Sequence, residues 1–493
     1  VDADTADSTA TSAAQGALAS DYVAVGQTST FAAGSGANAT QAVVVSINDD
    51  SIVETNELLN VVLSGLSATG RDVTVTDSSG AITIDNNDSS ELSVALTTAP
   101  GTLTEDSGSV TFTISMSNPV AVPVTTLYGA ENPLMPGSYD DFAGGAGSVT
   151  WDKYTNSDQT FTLDVVDDSV VELDETFSVQ LFGLDAGTIA EFDNDLVTIG
   201  TSSDTFTVID NDTASISIND ISVTENHHGH SFATLTATLN TAVDVPVTVD
   251  VDTADSTATA ADNGLSGDED YVAVDSSITF AGTAGETQTV TVQINGDNVV
   301  EATEQLLVDL SSIAASGREA DISFSDSQGV ITIENDDSAT VSIVETSTGD
   351  EDSGNRTLAV TLSNPVDINV GVDVDTADGT ATTADSDYDA LDASLTFSNV
   401  SGAPLSQTVE VVVNADDTVE LDEALTAVLS SLSATDRDVT LGNATSTVTL
   451  SNDESASVSI DDVTVNEDDG TATLTITLSH DVDVDVSVDA DTA

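Results

Sequence analysis

One acidic pattern recurs four times along this chain of 493 residues: an acid, three residues, a glutamate, two residues and a second glutamate. The final glutamates of successive copies are 118, 129 and 119 residues apart. Gathered carboxylates repel one another, and a hard cation that takes six to eight oxygen ligands removes that repulsion. The four copies are Asp50/Glu54/Glu57, Asp168/Glu172/Glu175, Asp297/Glu301/Glu304 and Asp416/Glu420/Glu423.

Paired carboxylates also catalyse glycoside hydrolysis, so a glycosidase is the enzymatic alternative. Because the pairs recur in every unit, they suit a structural role better than a single catalytic centre. The sequence has no nucleophile elbow, no phosphate-binding loop and no His–Ser or His–Cys arrangement in a plausible context. We therefore expect that the protein is not an enzyme. A merely solvated acidic surface is the simplest alternative to a metal site.

The composition narrows the possible partners. The chain carries 87 Asp and Glu residues against 5 Lys and Arg residues, a formal net charge of -82. Such a surface repels phosphate, which excludes nucleic acid and anionic membranes as partners. The chain has no cysteine, so its stability must come from packing or metal and not from disulfides. No apolar run is long enough to cross a bilayer, and we expect no membrane insertion within this segment.

The local pattern predicts an all-β protein. Hydrophobic residues make up 39% of the chain and lie in short runs that alternate with polar residues, as at residues 235–239 and 245–251. Clusters of Gly, Asn, Asp and Ser separate these runs at the spacing of a β-sandwich. There is no helical periodicity. Each repeating unit is therefore predicted to be an antiparallel β-sandwich of about seven strands.

Two further patterns repeat together with the acidic one and set the unit boundaries. Asp-Tyr occurs at Asp21, Asp270 and Asp387, and Asp141-Phe142 takes its place once. Each unit closes with an apolar-Thr-apolar run and an Asn/Asp cluster. The predicted domains are 1–88, a sandwich lacking its first strands; 89–213, a divergent sandwich; 214–338; 339–455; and 456–493, the first strands of a further sandwich.

The repeated patterns resemble the Calx-beta domain, the calcium-binding sandwich of sodium–calcium exchangers that also occurs in arrays in bacterial surface proteins. The resemblance rests on residues 376–382, 387–388, 416–423 and 452–454, and the preceding unit repeats all four segments. It implies tandem immunoglobulin-like antiparallel β-sandwiches in an elongated array, with Ca2+ as the cofactor.

The resemblance also implies four places per unit that supply calcium ligands: a Glu early in the first strand, the Asp of Thr-Ala-Asp, the acidic pattern and the closing acidic cluster. Besides the acidic pattern, the implied ligands are Glu105, Glu225, Glu351 and Glu467; Asp7, Asp255 and Asp378; and Asp88, Asp210, Asp212, Asp336, Asp337, Asp453 and Glu454.

Some of these positions allow a second interpretation. The final Glu of each acidic pattern either binds metal or orders its loop through hydrogen bonds to backbone amides. Residues 86–88 (Asn-Asn-Asp) carry amides where acids are expected, which predicts a weaker site or plain surface. Residues 128–133 replace the Thr-Ala-Asp pattern in the 89–213 unit, so that site is remodelled or partly lost. Residues 227–230 (His-His-Gly-His) are a zinc or nickel site or, more simply, a longer hairpin turn.

The first six residues of the chain recur as its last six. We expect residues 456–493 to complete the sandwich begun at 1–88, in the next repeat of one chain or in a neighbouring subunit; an arbitrary cut from a longer polymer is the remaining explanation. The predicted function is a structural repeat unit of a long extracellular, calcium-stiffened filament or surface polymer of bacteria, with copies of itself as head-to-tail partners. The alternative is the stalk of a giant calcium-dependent adhesin, and a calcium-sensing regulatory module is a more distant one.

Overall fold

The computed structural model describes residues 1–12, 20–97, 103–131, 142–143, 145–186, 194–260, 269–400 and 402–492. They form two compact units, 1–213 with 241–244 and 214–240 with 245–493. Apart from short 3-10 turns, the regular structure of the described residues is β-strand, which confirms the predicted all-β class. No described helix has the length and apolar character of a membrane span.

The first compact unit opens with a single antiparallel sheet. Its strands are β1 (Asp2–Asp7), β2 (Gly26–Thr28), β3 (Glu57–Ser64) and β4 (Ser79–Ile84), in the spatial order β2-β1-β3-β4. Ala10, Tyr22 and Leu59 are fully buried and form its small core. Several apolar side chains of this region stay exposed, including Phe31, Val44 and Ile47.

The 89–213 sandwich completes the first unit with two five-stranded sheets. Its strands are β5 (Ser90–Leu96), β6 (Leu103–Thr104), β7 (Ser109–Met116), β8 (Val124–Glu131), β9 (Phe142–Ala143), β10 (Ala146–Trp151), β11 (Gln159–Val165), β12 (Val170–Val171), β13 (Glu175–Asp185), β14 (Val197–Thr201) and β15 (Ser203–Ile209). The sheets run β10-β8-β13-β15-β6 and β14-β5-β7-β11-β9. Phe112, Trp151, Leu163 and Val179 lie in the core between them. The 3-10 turns are Glu105–Ser107 and Asn194–Leu196.

The 214–338 sandwich has the same two-layer architecture. Its strands are β16 (Ala214–Ile218), β17 (Ile221–Thr224), β18 (Gly229–Leu239), β19 (Ala242–Val243), β20 (Val247–Asp255), β21 (Tyr271–Val272), β22 (Asp275–Phe280), β23 (Thr287–Gly296), β24 (Glu304–Ala314), β25 (Ile322–Asp326) and β26 (Gln328–Glu334). The sheets run β21-β23-β18-β16-β25 and β17-β26-β24-β20-β22. Strand β19 belongs to the first compact unit, where it pairs in parallel with β12.

The 339–455 sandwich has two four-stranded sheets, β31-β28-β27-β33 and β30-β29-β32-β34. Its strands are β27 (Ala339–Glu345), β28 (Arg356–Leu362), β29 (Val370–Ala377), β30 (Asp392–Phe397), β31 (Ser406–Val411), β32 (Glu423–Ser433), β33 (Val439–Leu441) and β34 (Thr445–Leu450), with a 3-10 turn at Glu351–Ser353. Beyond it, β35 (Val458–Ile460) and β36 (Ile476–Leu478) form an isolated antiparallel hairpin whose residues are all exposed.

Strand β18 shows how the sequence alternation builds these sandwiches. Ala233, Leu235 and Ala237 are buried because alternate side chains of a strand point to the same face. The intervening threonines face outward, and the Thr234 hydroxyl lies 3.3 Å from that of Thr291 on β23. The apolar face packs against the second sheet, and the polar face is solvated.

Candidate metal centres

The acidic pattern forms the same turn in all four repeats. Its first Asp accepts a hydrogen bond from the backbone N–H two residues later, which is the geometry of an Asx turn. The donor–acceptor distances are 2.8 Å for Asp50, 2.7 Å for Asp168 and Asp297, and 2.6 Å for Asp416. This bond fixes one carboxylate at the start of each loop.

An asparagine from the closing pattern braces the same loop. The backbone N–H groups of Glu54, Glu301 and Glu420 donate to the side-chain oxygens of Asn86, Asn335 and Asn452 at 3.1, 3.2 and 2.8 Å. Each of these Asn amides then donates to the backbone carbonyl two residues further on, at 2.9, 3.0 and 3.0 Å. Asn86 therefore has the same bracing role as Asn335 and Asn452. Within residues 86–88, only Asn87 is an amide where the later repeats have an acid, Asp336 and Asp453.

A first group of acids, here called the strand-end cluster, collects where the first strand meets the closing pattern. Glu105, Asp168 and Asp212 form it in the 89–213 sandwich, and Glu351, Asp453 and Glu454 form it in the 339–455 sandwich. In each trio, one carboxylate oxygen per residue lies within 4.8 Å of the others. All six residues were predicted as ligands.

Parallel pairing of the strand ends brings these acids together. Strand β6 pairs in parallel with β15, so Glu105 follows directly beside the closing acids. In the next sandwich, β17 pairs in parallel with β26, and the Glu225 N–H donates to the Glu334 carbonyl at 3.2 Å. The Glu351 N–H likewise donates to the Ser451 carbonyl at 3.2 Å. A local strand pairing thus places each early glutamate.

A second group, here called the loop cluster, joins the two glutamates of the acidic pattern to the Asp of Asp-Tyr. Asp21, Glu54 and Glu57 meet within 4.8 Å, as do Asp387, Glu420 and Glu423. In the 214–338 sandwich, the carboxylates of Asp270, Asp297, Glu225 and Glu304 all act on Glu301. Asp297 also acts on Glu225, so the strand-end and loop clusters are neighbours that share the first Asp of the pattern.

The electrostatics of these clusters call for a cation. Burial, followed by repulsion from neighbouring carboxylates, raises the pKa of Glu105 and Glu225 to about 8 and that of Glu301 to about 9. The same causes raise the pKa of Glu54 to about 7 and that of Glu57 to about 8. Burial comes first among the causes at every one of these groups.

The donor set fits a hard divalent cation. One buried oxygen on each of Glu105, Asp212, Glu225 and Asp337 has no hydrogen-bond partner among the described residues. Buried carboxylates are ordinarily paired or bound to metal, because leaving them unpaired is costly. The two trios of the strand-end cluster offer only oxygen, which is the ligand that calcium prefers.

The Asp of Thr-Ala-Asp has a different environment. Asp255 and Asp378 accept hydrogen bonds from the buried hydroxyls of Tyr271 and Tyr388 at 2.6 and 2.7 Å, and Asp7 accepts one from Tyr22. Each of these carboxylates also accepts a backbone N–H five residues later, at 2.9, 3.1 and 2.9 Å, respectively. These bonds lower the pKa of all three aspartates. The contacts indicate a structural role, and a ligand role for these residues stays a prediction.

The aspartates of the Asp-Tyr pairs were not predicted as ligands, although the structure places them in the loop cluster: Asp21, Asp270 and Asp387. Each of them anchors its own loop by accepting the backbone N–H of Thr11, Thr259 or Thr382, at 2.5, 2.6 and 2.6 Å. The recurrent Asp-Tyr pair was the available signal. Its tyrosine points into the core toward Thr-Ala-Asp, and its aspartate joins the glutamates.

The remaining predicted ligands are distributed unevenly. Asp50 and Asp88 line one pocket with Asp21, Glu54 and Glu57, and Asp210 and Glu172 act on Glu105. Asp416 acts on both Glu351 and Glu420. Glu175 begins β13, and Glu467 lies exposed outside every cluster found among the described residues. Asp141, the counterpart of Asp21, falls outside the described residues.

Three of the four acidic loops touch a later stretch of the same compact unit through a single parallel β-bridge. Val53 pairs with Val120 in the first compact unit, and in the second unit Val300 pairs with Val366 and Val419 with Val482. In the second of these bridges, the Val300 N–H donates to the Pro365 carbonyl at 2.9 Å, and the Asp367 N–H donates to the Val300 carbonyl at 3.2 Å. A glutamate of the acidic pattern follows directly after the bridging valine.

The chain matches known proteins at the level of family and fold. A family model for the Calx-beta domain matches residues 1–88, 85–212, 209–337 and 334–462. Similar solved structures are the calcium binding domain CBD12 of CALX1.1 and the apo-form Calx CBD1 domain. The former is 14% identical over 49% of this chain and 98% of that chain, with a TM-score of 0.21. The latter is 21% identical over 25% of this chain and 100% of that chain, with a TM-score of 0.20.

No curated protein matches the chain in sequence. The four family matches together span residues 1–462, which is most of the chain. The acidic pattern is present in each of the four regions, and three of them have the two-sheet topology of a sandwich among the described residues. The chain therefore belongs to the Calx-beta family, as a tandem array of four Calx-beta domains.

Proposed function

We propose that this chain is a structural repeat unit of a long extracellular filament or surface polymer that binds calcium and is stiffened by it. The observation that carries the proposal is the β-bridge that joins an acidic loop to a later stretch of the same compact unit, as Val300 joins Val366. The bridging Val300 is fully buried, its partner Val366 is 5% exposed, and Glu301 of the loop cluster is the next residue. An ion that orders this loop therefore also orders the contact with the next sandwich.

The energetic argument follows from the uncompensated carboxylates. Without a cation, the carboxylates in the loops that carry the bridges repel one another. This repulsion weakens the junctions within each compact unit. A cation bound only by the folded state adds about 2.7 kcal/mol per site at a hundredfold excess over its Kd. Calcium would thereby convert a self-repelling string of domains into a rod.

Head-to-tail assembly is supported by two exposed apolar surfaces. The 1–88 region forms one sheet among its described residues, where the 214–338 and 339–455 sandwiches have two. Leu474, Ile476 and Leu478 in the hairpin of 456–493 alternate in the same way as Leu235, Ala237 and Leu239 of β18 but are 38–47% exposed. We infer that this hairpin pairs with the 1–88 sheet, in another copy or in the next repeat.

The complete sandwiches predict the register of this pairing. Leu235 pairs with Val290 and Leu358 with Val409. The buried tyrosine bridges Tyr271–Ile294, Tyr388–Val413 and Tyr22–Ile47 align the same strand in the three domains. By that alignment Leu474 should face Val43, and Thr473 should face Val44, as Thr234 faces Thr291.

Because the chain has no cysteine, an engineered disulfide tests this register cleanly. When Val44→Cys and Thr473→Cys chains are mixed under oxidising conditions with calcium, they should give a covalent dimer. The control mixture of Val44→Cys with Thr475→Cys, which lies two residues out of register, should give little covalent dimer. Equal yields from both mixtures, or none from either, would contradict the pairing.

The stiffening is tested by small-angle scattering of the full chain with calcium, and with chelator at equal ionic strength. Calcium should give the profile of a stiffer particle, and Val366→Asp, which places a charge in the buried bridge, should abolish most of that change. Val344→Asp is the matched control because Val344 is 51% exposed. If calcium changes neither the wild-type scattering profile nor the persistence length of the particles in micrographs, calcium stiffening is refuted. The adhesin-stalk alternative would then depend on a distal binding domain and not on stiffening.

A further inference from the structure

Three of the four histidines in the chain lie where β17 turns into β18 in the 214–338 sandwich: His227 and His228 between the strands, and His230 at the start of β18. Asn226 and Gly229 in this turn have φ angles of 77° and 91°, and this left-handed geometry reverses the chain tightly. The turn brings the His227 Nδ1 atom to 2.8 Å from the Asp337 Oδ1 atom and 3.6 Å from the Asp336 Oδ1 atom. The imidazole therefore joins the strand-end cluster of this domain.

The carboxylate side of this group is built into the protein. Asp337 is 4% exposed and Glu225 is 6% exposed. The Asp337 Oδ2 and Glu225 Oε1 atoms have no hydrogen-bond partner among the described residues. Glu225 faces Asp336 and Asp337, since both carboxylates act on it electrostatically. Asp337, with one buried and unpartnered oxygen, thus lies between an imidazole whose side chain is 63% exposed and a second buried carboxylate that also has an unpartnered oxygen.

The donor chemistry distinguishes this domain from its neighbours. The trios Glu105/Asp168/Asp212 and Glu351/Asp453/Glu454 offer oxygen only, whereas His227, Asp336 and Asp337 offer one nitrogen and two oxygens within 4.8 Å of one another. Calcium takes oxygen ligands, and imidazole combined with carboxylate suits zinc and similar first-row cations. These metals also accept four ligands, fewer than calcium needs.

We propose that His227, Asp336 and Asp337 form a binding site for a borderline divalent cation of the zinc class, with Glu225 or water completing the coordination. The proposal deepens the calcium-binding function by giving one domain of the array a different metal preference. It rests on that function only because Asp336 and Asp337 are also predicted calcium ligands. The rival explanation is a plain hydrogen bond or ion pair between His227 and Asp337 that closes a longer turn.

The test uses the full chain and two metals alone, zinc and cobalt(II). Zinc binding is measured by calorimetry, and cobalt(II) is followed by its visible absorption, to which calcium does not contribute. We expect the wild-type chain to bind one equivalent of zinc or cobalt(II) tightly. His227→Asn should weaken that equivalent at least about tenfold, because even outer-shell partners of metal ligands are worth that much.

The matched controls are His228→Asn and His480→Asn for the imidazole, and Asp453→Asn for an all-oxygen cluster. All three should keep the tight equivalent within about twofold of wild type. Retention of the equivalent in His227→Asn, or its equal loss in His228→Asn or Asp453→Asn, would overturn the proposal. A calcium titration of the same variants separates the two claims: zinc binding without any calcium binding would refute the proposed function and leave this site standing.

Discussion

Two carboxylates of the 214–338 domain have opposite environments. Asp255 accepts hydrogen bonds from the Tyr271 hydroxyl and the Ala260 N–H, and these bonds lower its pKa. Glu301 lies half-buried beside Asp270 and Asp297, and burial followed by their repulsion raises its pKa to about 9. Both residues belong to recurrent acidic patterns. Of these two recurring acids, only the one whose charge the fold leaves uncompensated has the environment expected of a metal ligand.

The largest expected effect is the stabilisation by calcium of the carboxylates that, like Glu301, have no compensating partner. Thermal unfolding with calcium should occur at least about 10 °C higher than with chelator, given about 2.7 kcal/mol per site at a hundredfold excess over Kd. Differential scanning calorimetry of the full chain checks this. Sodium chloride at equal ionic strength is the control, because simple screening would raise the melting temperature equally in both.

The pH dependence of stability should separate the two classes next. A group like Glu301, whose folded pKa of about 9 lies above its ordinary 4.5, contributes stability below pH 4.5 that is lost as pH rises through 9. Asp255, whose folded pKa is depressed below 3.8, contributes stability above that value that is lost as pH falls.

In calcium-free buffer, the free energy of unfolding should therefore fall between about pH 5 and pH 9, and calcium should remove most of that decline because it binds the ionised carboxylates. Urea unfolding at pH 5, 7 and 9 measures both slopes. A calcium-free stability that is flat or rises over this range would show that the raised pKa values do not govern folding.

A pair of substitutions sharpens the comparison at single residues. Glu301→Gln should stabilise the calcium-free protein at pH 8, because folding no longer has to protonate a carboxylate whose ordinary pKa is 4.5. It should weaken calcium binding at its site by about tenfold, or 1.4 kcal/mol. Asp255→Asn should cost about 1 kcal/mol with or without calcium, because the buried Tyr271 hydroxyl loses a charged acceptor. Calcium titration and urea unfolding of both variants provide the readouts. Equal losses of calcium affinity would return Asp255 to the set of ligands.

The outcome at these residues shows what the sequence could and could not predict. Alternating strands and recurrent turns predicted the sandwiches, because burial of alternate side chains is a local property. The acidic loops and early glutamates were also predictable, since each recurs at a fixed place. The choice between Asp255 and Asp270 was not, because it depends on the direction of Tyr271, whose hydroxyl reaches Asp255 sixteen residues away.

The brace formed by Asn335 was missed for a related reason. Its amide bonds both the loop and its own turn, so it braces the loop that carries the predicted ligands. In the sequence, Asn86 at the corresponding place looks like an amide where an acid is expected. Only the strand pairing that brings residues 301 and 335 together reveals the difference.

The smallest expected effect concerns a carboxylate that the protein compensates with its own cation. Arg437 holds Asp367 in a bidentate pair, with Nε–Oδ1 and Nη2–Oδ2 distances of 2.6 Å. Asp367 directly follows the bridging Val366, and Glu301 also adds to the field on Arg437. Arg437→Gln should therefore lower the unfolding free energy by up to about 1 kcal/mol in calcium-free buffer, a typical ceiling for a partly exposed pair. The loss should shrink with calcium, because the bound ion then compensates Glu301 in place of the guanidinium.

Arg71→Gln is the control, since Arg71 occupies the matching turn of the first domain and is exposed. Urea unfolding of both variants measures the difference, and an equal loss in both buffers would mean that Arg437 serves Asp367 alone and that the junction pair is independent of the metal site.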